Sequence, residues 1–181
     1  MVVAIAAAIL GSLAIQKPDL AILIYWQPGM GPHRVPATLE AAIWTDGKIV
    51  WRDPAPLWAK RHGEWGLQAG TYRQGHANPK AIAQALLRLK DKSKSVIQHW
   101  GSSIPDSHCT RIQLAHGTWR QALSCTGEPR ETAPYGWEKQ WNPGLALWKS
   151  VRVEVKALIP RLCKIIPKPS DSQWKLRPGG Y

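Results

Sequence analysis

Between Thr38 and Arg52 the chain reads TLEAAIWTDGKIVWR, two apolar arms joined by an Asp-Gly pair. No other stretch limits the fold as tightly. Asp46 and Gly47 both tolerate positive φ, which a two-residue hairpin turn requires. A turn centred on that pair sets Trp44 opposite Ile49, Ile43 opposite Val50 and Ala42 opposite Trp51. Ala42, Trp44, Ile49 and Trp51 then share one face, and Ile43 and Val50 share the other. Both faces are apolar near the turn, so one must meet a core and the other needs covering by further chain. A slip of one residue would take Trp44 and Trp51 off their common face.

A helix follows at NPKAIAQALLRLKD, Asn78 to Asp91. Asn78 is a good N-cap, because its side-chain oxygen accepts an otherwise unpaired N–H. Pro79 at the first helical position loses no hydrogen bond. Ile82, Ala85, Leu86 and Leu89 form one apolar stripe at helical spacing. Leu20 to Trp26 is a short apolar run that suits a buried strand. Thr71 to Arg73 supplies another short strand, while Val96 to Pro105 reads as irregular. Thr110 to Leu123 is a second hairpin about His116-Gly117, with one mostly apolar face and one carrying Arg111, Gln113, Arg120 and Ala122. Its register puts Cys109 and Cys125 on opposite faces, although a three-residue loop would align them for a disulfide. Leu145 to Ile159 is expected to be a second helix, with Trp148, Val151, Val155, Leu158 and Ile159 as its stripe. Its middle, VRVEV, alternates with period two and also fits a strand. The expected fold is α+β: an antiparallel sheet built from two hairpins with two packed helices.

With 181 residues the chain is long enough for one domain with a real core. We divide it into an apolar N-terminal segment (1–19), a single α+β domain (20–160) and a basic Pro- and Gly-containing tail (161–181). The segment MVVAIAAAILGSLA carries no charge before Lys17. Three readings of it are open: a degenerate or truncated signal, an anchor giving membrane association through residues 1–15, or a buried element of the domain. The signal reading places the domain outside the cytoplasm. Three cysteines, with no CxxC, give neither a disulfide framework nor a zinc ribbon.

The 24 Lys and Arg outnumber the 12 Asp and Glu. Such a surplus favours an anionic surface or polyanion as partner, nucleic acid included. It is spread along the chain, however, and forms no basic run. Eleven tryptophans with no phenylalanine are too many for one small core, so some should line a groove or an interface. Trp58, Arg61 and Trp65 lie close together, as do Trp137 and Trp141, and aromatic rings beside cations can stack on bases or sugars. The blander reading has these rings cap the sheet. Asp106 and His108 fall on one side of an extended segment and form the nearest approach to a metal or acid–base pair. No phosphate-binding glycine loop, HExxH or nucleophile-elbow motif occurs, and the sequence points to no cofactor.

The order of these signals resembles a type of small bacterial α+β domain of unknown function, often found in exported proteins or lipoproteins. Its hairpin has the form TLxIxxDGxVxY, followed by a GxxxxGxSxxxIxxLLxxL segment, a strand pair and a final helix. The matching stretches here are TLEAAIWTDGKIVW, GTYRQGHANPKAIAQALLRL, CTRIQLAHGTWRQAL and LWKSVRVEVKALIP, together spanning residues 20–160. The resemblance implies an extracytoplasmic domain and no activity to transfer. This chain departs from the pattern in its many tryptophans, its charge and its lack of a lipobox cysteine. The function expected is that of a non-enzymatic exported or envelope-associated domain acting as a binding module. The alternatives are a polyanion- or nucleic-acid-binding module, and a hydrolase or metal-dependent enzyme with its site near Asp106 and His108.

Overall fold

A computed structural model describes residues 19–27, 37–54, 70–102, 109–126, 129–134 and 136–170. Strands β1 (Leu20–Gln27), β2 (Thr38–Trp44), β3 (Lys48–Pro54) and β4 (Gly70–His76) precede helix α1 (Pro79–Lys92). Then come β5 (His99–Ser102), β6 (Cys109–His116), β7 (Trp119–Cys125), helix α2 (Glu138–Leu158) and β8 (Cys163–Ile166). The strands form one eight-stranded sheet in the order β5-β7-β6-β1-β2-β3-β4-β8. Every neighbouring pair is antiparallel except β5 and β7, which are parallel. The α+β class with two packed helices is therefore present, on a sheet wider than two hairpins alone would make.

The first hairpin keeps its place but not its register. Ala41 faces Trp51, Ala42 faces Val50 and Ile43 faces Ile49. The loop is one residue longer than a two-residue turn: the Gly47 N–H donates to the Trp44 carbonyl at 3.1 Å, and Gly47 follows with φ +102°. A turn followed by a positive-φ glycine is the usual three-residue hairpin. The Asp46 carboxylate accepts from the Lys48 N–H at 2.9 Å, which favours this loop. The side-chain period is two, so one extra residue reverses one arm relative to the other. Ala41, Ile43, Ile49 and Trp51 thus face the helices, while Ala42 and Val50 lie on the far face with Trp44 packed beside them. Trp44 and Trp51 do not share a face.

The second hairpin shifts by two residues and keeps its faces. Its loop is Gly117–Thr118, with His116 opposite Trp119 and Ile112 opposite Leu123. Ile112, Leu114, Leu123 and Cys125 join the core under the helices. Cys109 points the other way, where the Ser124 hydroxyl meets its sulfur at 3.7 Å. No disulfide joins Cys109, Cys125 and Cys163.

Both helices lie on one face of the sheet. In α1 the Asn78 side chain accepts from the Lys80 N–H at 2.9 Å, and Ile82, Ala85, Leu86 and Leu89 are buried. Helix α2 begins seven residues before Leu145, at Glu138, and carries Pro143 within it. Its VRVEV stretch is helical: Val151 and Val155 are buried but Val153 is 67% exposed, whereas a strand would bury all three on one side. Beneath α2 sits Trp100 of β5, with the ring centroids of Trp141 and Trp148 from the helix 4.9 and 6.3 Å from its own. Trp100 donates to the Gln140 carbonyl and Trp141 to that of Arg130, which satisfies both buried indole N–H groups.

Two strands differ from the sequence reading. The segment read as irregular contains β5, and the segment read as a loose tail contains β8, which pairs with β4 past the expected boundary at residue 160.

Candidate functional site

A cleft of about 340 Å³ opens between the last turns of α2 and strands β1 to β3. Its floor is apolar: Ile24 from β1, Ala41 from β2, Trp51 from β3 and Val155 from α2. These side chains are almost fully buried, so the floor is continuous with the core. Around it stand Glu40, Arg152 and Lys156, two cations and one carboxylate, while Arg52 borders it through β3 with its side chain on the other face, beside Val50 and Tyr72.

Local backbone geometry puts Glu40 there. Ile24 pairs with Ala41 but the next residue, Tyr25, pairs with Leu39, so Glu40 is an extra residue in β2. Such a bulge bends its strand and re-aims a side chain. Leu39 and Ala41 accordingly fall on opposite faces, although plain alternation would put them together. The Glu40 carboxylate accepts from Arg152 Nη1 at 2.6 Å. Arg152 is fixed a second way, since its guanidinium lies 5.7 Å from the centroid of the Trp148 ring. A cation over an indole face gains from the ring quadrupole. Lys156 follows Arg152 by four residues and therefore stands one turn further along the same helix face. Trp51 is held by its own N–H, which donates to Asp53 at 3.2 Å, and Asp53 is in turn ion-paired with Arg73.

This arrangement holds and orients. Arg152 is locked in place by Glu40 and Trp148, while Lys156 leaves the rim net positive. A charge meeting these cations at a partly desolvated wall interacts more strongly than it would in water. The indole of Trp51 and the Val155 and Ile24 side chains offer an apolar surface to the rest of a ligand.

Of the residues singled out from the sequence, the two that are described lie elsewhere. Trp137 lies just before α2 and is 43% exposed, well outside the cleft. Trp141, expected at a ligand surface, is a core residue at 2% exposure with its ring against Trp100. Trp58, Arg61, Trp65, Asp106 and His108 lie outside the described residues. Among the described residues no group of three or more His, Cys, Asp or Glu is placed to hold a metal ion. Membrane association through residues 1–15 is corrected: no helix among the described residues is long and apolar enough to cross a membrane, and that segment is itself outside them.

Sequence reading missed Glu40, Arg152 and Lys156. Two signals for them exist. LEAAI breaks the alternation of β2 at Glu40, and Arg152 and Lys156 are four apart beside the apolar stripe of α2. Neither signal says that the two elements meet.

No protein-family model matches the chain, and no curated protein matches it. The fold and the cleft define an α+β domain with a helix layer on one face of a mixed sheet.

Proposed function

We propose that the protein is a non-enzymatic, exported binding module whose cleft takes a small ligand with an anionic group and a flat apolar part. One observation carries the reading: Arg152 and Lys156 stand against one carboxylate, Glu40, among the described residues, above a floor that includes Trp51. A pocket that is mostly apolar with a few converging polar groups is the usual form of a small-molecule site. Export rests on the uncharged segment MVVAIAAAILGSLA and on the resemblance to exported domains. Recovery of the protein only from the cytosolic fraction of its host would remove that part of the proposal.

A polyanion-binding face is the weaker reading. Arg88, Lys94, Lys149 and Arg152, all on or beside the two helices, are each ion-paired with a carboxylate. Such pairing reduces the field available to a long anion.

The test is a fluorescence titration with a naphthalene sulfonate and with the uncharged naphthol as its control. The sulfonate should bind saturably and the naphthol at least tenfold more weakly. Lys156→Gln should weaken the sulfonate by roughly tenfold, as expected for losing one charge-assisted contact. Equal binding of sulfonate and naphthol, or an unchanged Lys156→Gln variant, would refute the cleft as an anion site.

A further inference from the structure

The face of the sheet turned away from the helices carries a second depression, of about 260 Å³, over β5, β7 and β6. Its shape follows from the strand registers. Gly101, Ser124, Arg111 and Tyr25 stand in one row across four strands, because each is the direct partner of the next. His99, Ala122 and Gln113 form the adjacent row. The middle of both rows is small: glycine, serine and alanine. Longer side chains rise on either side, His99 from β5 and Arg111 and Gln113 from β6. Small residues between large ones leave a hollow.

Glycine is required at position 101. It has φ +129°, and a Cβ there would come within 1.6 Å of the Ser124 carbonyl oxygen. The same close approach brings the β5 backbone to the edge of the hollow.

Arg111 is the unusual member. It is half-buried, and its Nε is shut off from solvent with no hydrogen-bond partner. No carboxylate lines the hollow among the described residues. Burial works against the charged form of Arg111, but hydrogen bonding and charge interaction with the Cys109 and Tyr25 side chains together outweigh it and leave the pKa raised. Among the described residues the guanidinium has no carboxylate partner, and a partly buried cation in that state is costly. The cleft beside α2 differs, because Arg152 has Glu40 there.

We infer that this hollow is an oxyanion-binding site, in which the Arg111 guanidinium receives a carboxylate or phosphate group, with Gln113 and Ser124 as neutral hydrogen-bonding neighbours. Guanidinium matches both groups in geometry, since its parallel N–H donors meet two oxygens at once. The volume is below that of an ordinary drug-sized pocket, which suits a small anion or one charged end of a larger ligand. The site lies on the opposite face from the cleft and does not depend on that proposal.

The test is an NMR titration of the full chain with inorganic phosphate and, separately, with acetate, each against chloride at matched ionic strength. Saturable shifts are expected at the Arg111 Nε–H and at the amides of Gln113 and Ser124, with a Kd on the order of 1 mM or tighter. Response to phosphate alone assigns a phosphate ligand, response to acetate alone a carboxylate, and response to both a general oxyanion site. Arg111→Gln should weaken binding at least tenfold, whereas Lys90→Gln, which removes a charge from α1, should leave it unchanged. If Arg111→Gln does not fold, the wild-type Arg111 Nε–H resonance still decides. Shifts that follow ionic strength without saturating, or equal affinity in a folded Arg111→Gln, would overturn the assignment.

Discussion

Gly144 shows how one atom sets the packing at the centre of this protein. It lies inside α2, where alanine would ordinarily be better by about 1 kcal/mol. A Cβ at this position would stand 2.0 Å from Trp100 Nε1 and 2.1 Å from its Cε2. The indole cannot withdraw, because it donates to the Gln140 carbonyl and lies against Trp141 and Trp148. Gly144→Ala should therefore destabilise the fold by about 1–3 kcal/mol, the range for overpacking a filled core. Denaturant unfolding monitored by tryptophan fluorescence measures this, and a stabilised variant would contradict the packing. The sequence shows Gly144 only as a poor helix former after Pro143. The reason for glycine is a ring contributed from forty-four residues earlier in the chain. Gly47 is the opposite case: its place in a turn is legible from Asp46-Gly47, and only the loop length had to come from the structure.

At the scale of elements, local chemistry is a sound guide where cap and stripe agree. In α1 the cap, the proline and all four buried positions lie where the sequence puts them. In α2 the two periods compete over VRVEV, and the buried sheet beneath selects the helical one. The hairpins differ for a simpler reason. A two-residue shift in the second returned every side chain to its expected face, while a one-residue shift in the first separated Trp44 from Trp51. The helices are joined at their outer surface by Arg88, whose Nε and Nη2 both donate to Glu154 at 2.8 Å. That hydrogen bonding holds the Glu154 carboxyl below its usual range, aided by the charges of Arg88 and Lys92 and opposed by burial. A carboxyl whose folded pKa is depressed stabilises the protein above its unfolded value, and the effect fades as pH falls through the folded pKa. Glu154→Gln should thus lower Tm by about 1–3 °C at pH 7. The difference from wild type should shrink below about pH 4, where the unfolded carboxyl takes up its proton. Parallel melting curves at pH 7 and pH 3 test this, and an equal difference at both would separate Glu154 from the effect.

The whole molecule is organised by two long crossings. From β4, near one end of the sheet, α1 carries the chain to β5 at the far edge; from β7, α2 returns it to β8 at the opposite edge. Both edge strands are four residues long and neither shows a clear alternation in the sequence. Edge strands exist because a neighbour offers free backbone groups, so little in their own residues marks them. The cysteines report this arrangement. Cys109 and Cys125 are buried on β6 and β7, while Cys163 is exposed on β8. An aromatic disulfide reagent should label Cys163 quickly in the native protein, and Cys109 and Cys125 only after denaturation. Peptide mapping of the labelled thiols checks it, and rapid native labelling of Cys109 or Cys125 would be inconsistent with the fold. Neither proposed site exists below this scale. The cleft joins β2 and β3 to α2, bringing Glu40 to Arg152, and the hollow joins β5 to β6 through β7.

The sequence alone determined that a hairpin turns at Asp46-Gly47, which residues start α1, which faces of α1, α2 and the second hairpin are apolar, and that the chain builds an α+β domain. These are properties of a few neighbouring residues, governed by the 3.6 and 2.0 periods and by turn chemistry. Tertiary structure decided the registers of both hairpins, the two edge strands, the burial of Trp141, the cleft around Glu40 and Arg152, and the half-burial of Arg111. Each of those depends on which distant segment lies alongside. That choice is made by burial summed over the whole core, and no short window of residues contains it.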